Sequence, residues 1–419
     1  MVTRRIPQLE LHLGLRWQTL NGASLCSHLV ERWGGNPRAS APMPSPARSN
    51  VLPLFAMVST DLRRDLLAPI SHINRLRVRH LYRLTSYGDL TPDDLSDGSL
   101  AAYKSSFDLL RQLWKCRPDI VQTVEPFSLR LLPCQFAVYL ATLLRRTPLL
   151  VVTLENRPLT EKYGKWFAFL LRTVLRPIFR SARAIVYLNQ GAARNVLQIG
   201  PYATKSKWLM YGTWGIDPSE FTPEGDRQQF NLGPGPLLLF VGRLHREKGV
   251  FDLLEAFTTI QREMPSASLA LVGDGPERAA IEREITQNHW SSRVFLTGVV
   301  KNRDLPAYFR SADVFVAPSI TTQKWEEQVG MSIIQAMASG VAVVSTRSGA
   351  IPEYLPESAG ILVDERDPAA LAAAVVRMVR EPDMRRQMGE YGRRYAVEHY
   401  DARKNVNVAE EFILRCCET

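Results

Sequence analysis

Two polar side chains stand eight positions apart in the stretch WEEQVGMSIIQAMASG, residues 325–340. Glu327 precedes Gly330 and an apolar helix that we expect from about Gly330 to Ala338, and Gln335 lies inside that helix. The first NH groups of a helix carry partial positive charge, so this helix start predicts an anion site that a glycine leaves open. Glu327 can accept hydrogen bonds from ligand hydroxyls there. The alternative is that Glu327 binds no ligand and only stabilises the helix start, through the attraction between its negative charge and the helix dipole.

A second candidate site is GRLHREKG (242–249), which follows the apolar run PLLLFVG (236–242). Gly242 permits a close turn, and Arg243 and Lys248 come just beyond the expected strand end. Two cations at a strand end, with a helix starting behind them, form a natural phosphate site. A solvated charged loop has the same composition, so this motif alone leaves both interpretations open. The turn in LVGDGPE (271–277) is by itself only weak evidence for a ligand-binding site.

Short apolar runs alternate with helical patterns along the chain and predict the elements that position these residues. The first series is VLPLFAMV (51–58), RLRVRHLYRL (75–84), DIVQTV (119–124), LLVVTL (149–154) and AIVYL (184–188). The second is PLLLFVG (236–242), LALVG (269–273), VFLTG (294–298), VFVAP (314–318), VAVVST (341–346) and ILVD (361–364). Such runs indicate parallel sheets covered on both faces. We therefore predict an α/β protein with two Rossmann-like domains, and a site at the strand carboxyl ends in the cleft between them.

The predicted organisation has four segments. Residues 1–50 form an N-terminal extension of unknown role, with a Pro-, Ser- and Ala-rich stretch at 37–49. Residues 51–214 form the first Rossmann-like domain, and residues 215–400 form the second. A C-terminal helix at 401–419 is expected to pack back on the first domain. At 419 residues, the chain is long enough for two ordinary domains.

Composition excludes several classes of protein. Hydrophobic residues make up 45% and charged residues 22% of the chain, the mix of a globular protein rather than a disordered one. The five cysteines show no CxxC spacing, and we expect ordinary thiols in a reducing compartment. Neither a secretory leader nor a membrane-spanning helix is expected. We therefore predict a cytoplasmic protein, bound peripherally to the inner face of the membrane if its basic surface binds lipid.

The positive charge is concentrated in the first half of the chain. Residues 1–215 carry 29 Lys and Arg against 13 Asp and Glu, whereas the remainder carries 23 against 29. This asymmetry suggests an anionic partner, although an arginine-rich composition without such a partner also explains it. A basic amphipathic helix is predicted at about 161–182, within EKYGKWFAFLLRTVLRPIFRSAR (161–183). Its cations and interleaved aromatic residues are Lys165, Arg172, Arg176, Arg180 and Arg183, and Trp166, Phe167, Phe169 and Phe179.

Two interpretations of this helix remain open. It can lie in the interface of an anionic membrane, or it can be a core-packing helix with a solvated basic face. No recognised nucleic-acid-binding module accompanies the cations, so we predict no nucleic-acid partner.

Several motifs together resemble a known family. GRLHREKG, LVGDGPE, ADVFVAPS (312–319), EEQVGMSIIQAMASG (326–340) and SGAIPEYLP (348–356) occur in the order and spacing of the nucleotide-sugar domain of retaining glycosyltransferases of family 4, the group 1 glycosyltransferases with the GT-B fold. The resemblance is strong over about 200–419 and fainter over about 100–200. Residues 1–50 show none. It implies transfer of a sugar from a nucleotide-sugar donor with retention of anomeric configuration.

The resemblance also implies roles for individual residues. Arg243 and Lys248 match the basic pair that binds the donor diphosphate, and Glu327 matches the first Glu of the E-x7-E motif, which orients the donor sugar. Gln335 stands where the second Glu of that motif binds the ribose hydroxyls. An amide offers one acceptor oxygen where a carboxylate offers two, so ribose binding should be weaker rather than lost. Further donor-binding positions implied in this way are Gly242, Val300, Gly330 and Met331.

Departures from the family pattern fall on the acceptor side. Glu155 stands where family members often have a histidine, and Ser59-Thr60-Asp61 replaces a Gly-rich turn after the first strand. Glu155 and Glu125 are our acceptor-side candidates. No Asp-x-Asp motif is present, so we expect no metal and no cofactor beyond the nucleotide sugar, with Arg243 and Lys248 supplying the positive charge.

The function predicted from the sequence is therefore a retaining hexosyltransferase-like enzyme of polysaccharide or cell-envelope biosynthesis, with a lipid-linked or other envelope glycan as acceptor. One alternative is a GT-B partner protein that binds nucleotide sugar weakly without catalysis, with Gln335 as a first sign of decay. Another is a sugar-nucleotide epimerase, which the C-terminal motifs fit less well.

Overall fold

The computed structural model describes residues 51–85, 90, 92–226 and 235–418. The predicted extension at 1–50 lies outside the described residues. The N-terminal domain is built on a parallel sheet with the strand order β3-β2-β1-β4-β5-β6-β7. Its strands are β1 (Leu54–Val58), β2 (Arg77–Tyr82), β3 (Leu100–Ala102), β4 (Ile120–Gln122), β5 (Leu149–Thr153), β6 (Ala184–Tyr187) and β7 (Ser206–Trp208).

Helices connect these strands and cover the sheet. They are α1 (Arg64–Leu67), α2 (Pro92–Leu95), α3 (Ser106–Cys116), α4 (Leu132–Arg145), α5 (Leu159–Tyr163), α6 (Lys165–Ser181) and α7 (Gln190–Ile199). Capping side chains fix two of the helix starts. Ser105 accepts a hydrogen bond from Asp108 N at the start of α3, and Asn189 accepts one from Ala192 N at the start of α7.

The C-terminal domain has a second parallel sheet, in the order β10-β9-β8-β11-β12-β13. Its strands are β8 (Leu237–Val241), β9 (Ser268–Val272), β10 (Val294–Gly298), β11 (Val314–Ala317), β12 (Val343–Thr346) and β13 (Gly360–Val363). Its helices are α8 (Val250–Glu263), α9 (Arg278–Gln287), α10 (Leu305–Ser311), α11 (Met331–Ala338), α12 (Ile351–Tyr354), α13 (Pro368–Arg380) and α14 (Pro382–His399), followed by α15 (Ala402–Cys417).

Apolar side chains fill the space on both faces of each sheet. In β8, Leu238 and Leu239 point to opposite faces, and both are fully buried in different core clusters. The same alternation in β1 buries Phe55 and Ala56 on opposite faces of the first sheet. This explains why the strands read as continuous apolar runs, and it confirms the predicted fold class of two parallel α/β sheets.

The chain crosses between the two domains near residue 216 and again near residue 401. Ile216 N donates to Tyr400 O and Ala402 N donates to Ile216 O, each over 2.8 Å. Helix α15 then contacts the N-terminal domain, where the buried carboxylate of Glu410 accepts hydrogen bonds from Asn74 N (2.9 Å) and Arg75 N (2.5 Å). The two domains are thus joined by two crossings and a returning helix.

The structure corrects the predicted basic helix at one point and shows how its aromatic residues pack. The continuous helix expected at 161–182 is interrupted at Gly164, whose φ of 80° separates α5 from α6. Phe179, one of the aromatic residues interleaved with the cations, is fully buried and stacks on Phe127 with ring centroids 5.8 Å apart. Trp166, Phe167 and Phe169 are exposed. None of the described helices combines the length and the apolar character that a bilayer span requires.

Candidate active site

Lys248 is placed by a close contact between two loops of the C-terminal domain. Strand β8 ends at Val241, and the chain then makes a short 3-10 turn at Arg246–Lys248 before helix α8. Gly249 adopts a left-handed φ of 68°, and a Cβ there would lie 1.7 Å from Pro318 O, just after β11. Only glycine fits this position. The turn therefore lies against the loop that follows β11.

The carboxylate of Glu327 is bound to Lys248 and to a serine of the same loop. Lys248 Nζ lies 2.7 Å from Glu327 Oε2, and Ser319 Oγ donates to the same oxygen over 2.8 Å. Glu327 is 9% exposed. The ammonium of Lys248 also lies 4.6 Å from the centroid of the Trp325 ring, within the range of a cation–π interaction. The ion pair of Lys248 and Glu327 thus lies just beyond the ends of strands β8 and β11, with Ser319 and Trp325 as its neighbours.

Arg243 lies in the same loop as Lys248 but is held less tightly. Its side chain is 52% exposed, and its nearest carboxylate is that of Glu247, with Nη2 and Oε1 3.8 Å apart. Gly242 is half-buried at the end of β8. A guanidinium with so loose a partner can turn toward an anion without losing a strong interaction.

Helix α11 begins beside this ion pair. Gly330 precedes it with a left-handed φ of 75°, and no side chain caps its first NH groups. These groups carry the partial positive charge of the helix N-terminus, and Met331 is the first helical residue. Gln335, one turn further on, is 9% exposed, and within the described chain its side-chain amide makes no hydrogen bond. Val300 is half-buried beyond the end of β10.

The acceptor-side carboxylates lie at the carboxyl edge of the N-terminal sheet. Glu125 accepts hydrogen bonds from Thr153 Oγ1 and Leu154 N, each over 2.8 Å. Burial is the largest influence on this group and raises the pKa of Glu125 to about 7, although these hydrogen bonds favour the ionised form. Glu155 forms an ion pair with Lys162 of α5. The N-terminal side of the cleft thus holds two neighbouring carboxylates and one ammonium.

The two edges meet through direct hydrogen bonds. Asn156 Nδ2 donates to Glu327 O over 2.7 Å, and Asn189 Nδ2 donates to Gln328 O over 3.2 Å. The loop that follows β5 therefore reaches the loop that carries Glu327. Among the described residues, no three His, Cys, Asp or Glu side chains group closely enough to hold a metal ion.

The structure thus brings Lys248 and Glu327 into contact and places Arg243 and the start of α11 nearby. The carboxylates Glu125 and Glu155 lie on the other domain. The sequence assigned no role to several residues that contact this site, namely Ser319, Trp325, Asn156, Asn189 and Lys162. Ser319 lies two residues beyond the end of β11, a position that could have indicated it. The contacts of the two asparagines depend on the packing of the domains and leave no local signal.

The C-terminal domain is similar to a known family of proteins. Residues 223–395 match the family model for group 1 glycosyl transferases. Over this range the C-terminal domain is similar to the group 1 glycosyl transferases. This confirms the resemblance seen in the motifs, because Arg243, Lys248, Glu327 and Gln335 all lie within the matched residues.

Related proteins match over little more than half of the chain. A GDP-mannose-dependent α-(1-6)-phosphatidylinositol monomannoside mannosyltransferase of Mycolicibacterium smegmatis is 31% identical over 241 residues, covering 55% of this chain and 62% of that protein. A sulfoquinovosyl transferase of Arabidopsis thaliana is 27% identical, covering 57% of this chain and 46% of that protein. The chain thus spans about half to three fifths of the length of these relatives.

Solved structures match over nearly the whole described chain. Anabaena HepE in complex with UDP has a TM-score of 0.69 at 18% identity, covering 86% of this chain and 99% of that one. Sucrose-phosphate synthase from Thermosynechococcus elongatus has a TM-score of 0.67 at 19% identity, covering 88% and 100%. The similarity extends across both Rossmann-like domains and confirms the GT-B fold.

Proposed function

We propose that this protein is a retaining glycosyltransferase that moves a sugar from a nucleotide-sugar donor to a lipid-linked or cell-envelope glycan. The observation that carries the proposal is the contact between Lys248 and Glu327 at the carboxyl ends of β8 and β11, with Arg243 in the same loop. A cation that binds diphosphate and a carboxylate that binds sugar hydroxyls are the two groups that a nucleotide sugar requires side by side.

The proposed mechanism uses positioning and charge. Lys248 and Arg243 stabilise the negative charge that develops on the departing nucleoside diphosphate. Glu327 accepts hydrogen bonds from the donor sugar and fixes its orientation. A phosphate oxygen on the same face of the sugar takes the proton of the acceptor hydroxyl as the new bond forms, which gives retention. The two cations supply the charge for which other transferases use a divalent metal, so we propose a metal-independent reaction.

The acceptor is proposed from the N-terminal domain and from the relatives. One relative is named as a mannosyltransferase of phosphatidylinositol monomannoside, a glycolipid. In this chain the basic helix α6 exposes Trp166, Phe167 and Phe169 beside Lys165, a combination that suits an anionic membrane interface. The described cysteines are free thiols, as in a reducing compartment. We propose a cytoplasmic protein bound peripherally to the inner face of the membrane.

The test is a donor screen followed by an activity assay. UDP-, GDP- and ADP-sugars are added to the full chain, and thermal unfolding is followed. A true donor at 100 times its dissociation constant adds about 2.7 kcal/mol to the free energy of unfolding. The stabilising sugar nucleotide is then incubated with membrane lipid extract, and the anomeric configuration of the product is determined by NMR. Lys248→Ala serves as the inactive control.

The result expected is donor hydrolysis or transfer that depends on Lys248, with the donor configuration retained. An inverted product would contradict retention. Stabilisation without hydrolysis or transfer would favour a non-catalytic nucleotide-sugar-binding protein, and no stabilisation by any of the three classes would contradict the proposed donor.

A further inference from the structure

The backbone around Glu327 is held by the N-terminal domain, although Glu327 belongs to the C-terminal domain. Asn156 Nδ2 donates to Glu327 O over 2.7 Å, and Asn189 Nδ2 donates to Gln328 O over 3.2 Å. Both asparagines are buried, with 3% and 0% exposure. Two consecutive carbonyls of the β11–α11 loop are thus bonded across the cleft.

A third contact falls on the preceding residue. Arg157 Nη1 lies 3.3 Å from Glu326 Oε2, and each side chain is 13% exposed. Burial raises the pKa of Glu326, and the guanidinium of Arg157 opposes that rise. The interdomain latch, as we name Asn156, Arg157 and Asn189, therefore contacts three residues in a row.

The side-chain amide of Asn156 is an unusual group to bury between the two domains. Its Nδ2 is used by Glu327 O, but its Oδ1 is buried and has no hydrogen-bond partner within the described chain. An unpartnered buried carbonyl costs stability and calls for a reason. If the amide were turned over, Asn156 Oδ1 would face Glu327 O and the two oxygens would repel each other. The hydrogen bond that Nδ2 donates to Glu327 O therefore explains why an amide is present.

The peptide at Glu327 is enclosed from several sides. Ala350 N also donates to Glu327 O, over 2.8 Å, and a Cβ on Gly349 would lie 2.2 Å from that oxygen. The side-chain carboxylate is held within the C-terminal domain by Lys248 and Ser319. The position of the carboxylate therefore depends on both domains, whereas the positions of Arg243 and Lys248 depend on one.

We propose that the interdomain latch is a set of positioning residues that fixes Glu327 for transfer only when the two domains are closed. The inference rests on the proposed function in one respect, the role of Glu327 in orienting the donor sugar. Separation of the domains breaks the bonds that the latch makes to residues 326–328, but it leaves the contact of Ala350 N with Glu327 O and the diphosphate-binding cations in place. Nucleotide binding is then independent of the latch, whereas transfer requires it, because displacement of a reacting group by about 1 Å can lower a rate about 100-fold.

Hydrogen exchange tests the latch without any ligand. Amide exchange of the segment 325–334 is measured in the full chain for wild type, Asn156→Ala and Asn189→Asp. The aspartate keeps the oxygen that accepts from Ala192 N at the start of α7. It removes the donor to Gln328 O and also the donor to Leu154 O within the N-terminal domain, so Asn156→Ala is the cleaner of the two latch variants. Asn405→Ala is the matched control, because Asn405 Nδ2 also donates to a backbone carbonyl, that of Trp214, over 2.9 Å.

The result expected is faster exchange of this segment in both latch variants and unchanged exchange in Asn405→Ala. With the donor found by the screen, kcat should fall about 10-fold or more in Asn156→Ala, while KM for the donor and the dissociation constants of UDP and GDP stay within about twofold. Unchanged exchange, an unchanged kcat, or an equal effect of Asn405→Ala would overturn the inference. A wild type without transfer would contradict the proposed function, and the exchange result would still decide whether the latch holds this loop.

Discussion

Lys248 Nζ and Glu327 Oε2 lie 2.7 Å apart, although 79 residues separate them along the chain. The topology accounts for this contact, because β8 and β11 are neighbours in the second sheet and their carboxyl-terminal loops must meet. The pair is mostly buried, with side-chain exposures of 19% and 12%. A ligand that binds here must therefore replace a strong interaction between two protein groups with two interactions of its own.

Removal of either donor-site cation should nearly abolish transfer and leave the fold intact. Lys248→Ala and Arg243→Ala each remove positive charge that faces the departing diphosphate, an effect on the order of 10²–10³ in rate. Arg246→Ala is the matched control, because Arg246 lies in the same loop but is 73% exposed and pairs with Glu277. Initial rates with the identified donor, and circular dichroism of each variant, provide the measurement. Wild-type turnover in Lys248→Ala or Arg243→Ala would remove that residue from the mechanism.

Much of the fold could be predicted from local patterns. The runs DIVQTV and LLVVTL contain strands β4 and β5, because buried parallel strands are apolar on both faces. Strands β3 and β7 were missed. Each has three residues, lies at an edge of the sheet and is only partly buried, so its sequence carries little apolar signal. Their assignment as strands depends on the neighbouring strand rather than on their own residues.

Only the site residues that belong to sequence motifs could be predicted. Arg243, Lys248 and Glu327 could be selected from their residue types and positions. The family pattern supplied their roles, which remain predictions. The donation from Asn156 to Glu327 O joins residues 171 positions apart and depends on the packing of two domains. The regular spacing of the basic helix concealed the interruption at Gly164, and it left open which aromatic residues, such as Phe179, are buried.

Glu125 should make the stability of the protein depend on pH. Burial raises its pKa from 4.5 to about 7, so the folded chain holds this proton more tightly than the unfolded chain. The contribution of this carboxyl to stability is therefore fully present below pH 4.5 and is lost as pH rises toward about 7. The loss is about 3–4 kcal/mol, since the pKa rises by about 2.5 and each pH unit corresponds to about 1.4 kcal/mol.

Glu125→Gln replaces the protonated group by a neutral one of similar shape, and the comparison isolates this effect. The variant should gain stability relative to wild type between pH 5 and pH 8, by an amount that levels off above pH 7. Urea denaturation of both proteins across this range provides the measurement. A stability difference that stays constant with pH would show that Glu125 is already ionised at pH 5 in the folded chain.

Helix α6 should bind anionic vesicles. Its cations Lys165 and Arg180 are exposed, and each contributes about 1 kcal/mol near an anionic surface. Replacement of both by glutamine should lower partitioning about 30-fold, and added salt should weaken binding of the wild type. Liposome flotation with anionic and neutral vesicles measures this. The control replaces Arg377 and Arg386, which are exposed on the C-terminal domain. Equal binding to both vesicle types, or binding to neither, would contradict the prediction.

Gln335→Glu should tighten the binding of the donor. In the folded chain the amide of Gln335 is 9% exposed and makes no hydrogen bond within the described residues, so it is available to a ligand. A carboxylate can accept from both vicinal hydroxyls of a ribose, whereas the amide has one acceptor oxygen. The gain should be modest, about 1 kcal/mol or roughly fivefold in dissociation constant, because the hydroxyls are also well solvated before binding.

The test of this contact is its dependence on the 2′-hydroxyl. Calorimetric titration of wild type and Gln335→Glu with ribonucleotide donors should show the gain, and donors with 2′-deoxyribose should lose most of it, whereas a change in the transferred sugar should not matter. Gln287→Glu, at the end of α9, adds the same charge at an exposed position and should leave affinity unchanged. If Gln335 instead packs away from the ligand, the new carboxylate is buried without a partner, so the variant loses stability and gains no affinity. Tighter binding that ignores the 2′-hydroxyl would count against a ribose contact, because a general electrostatic effect does not distinguish the two donors.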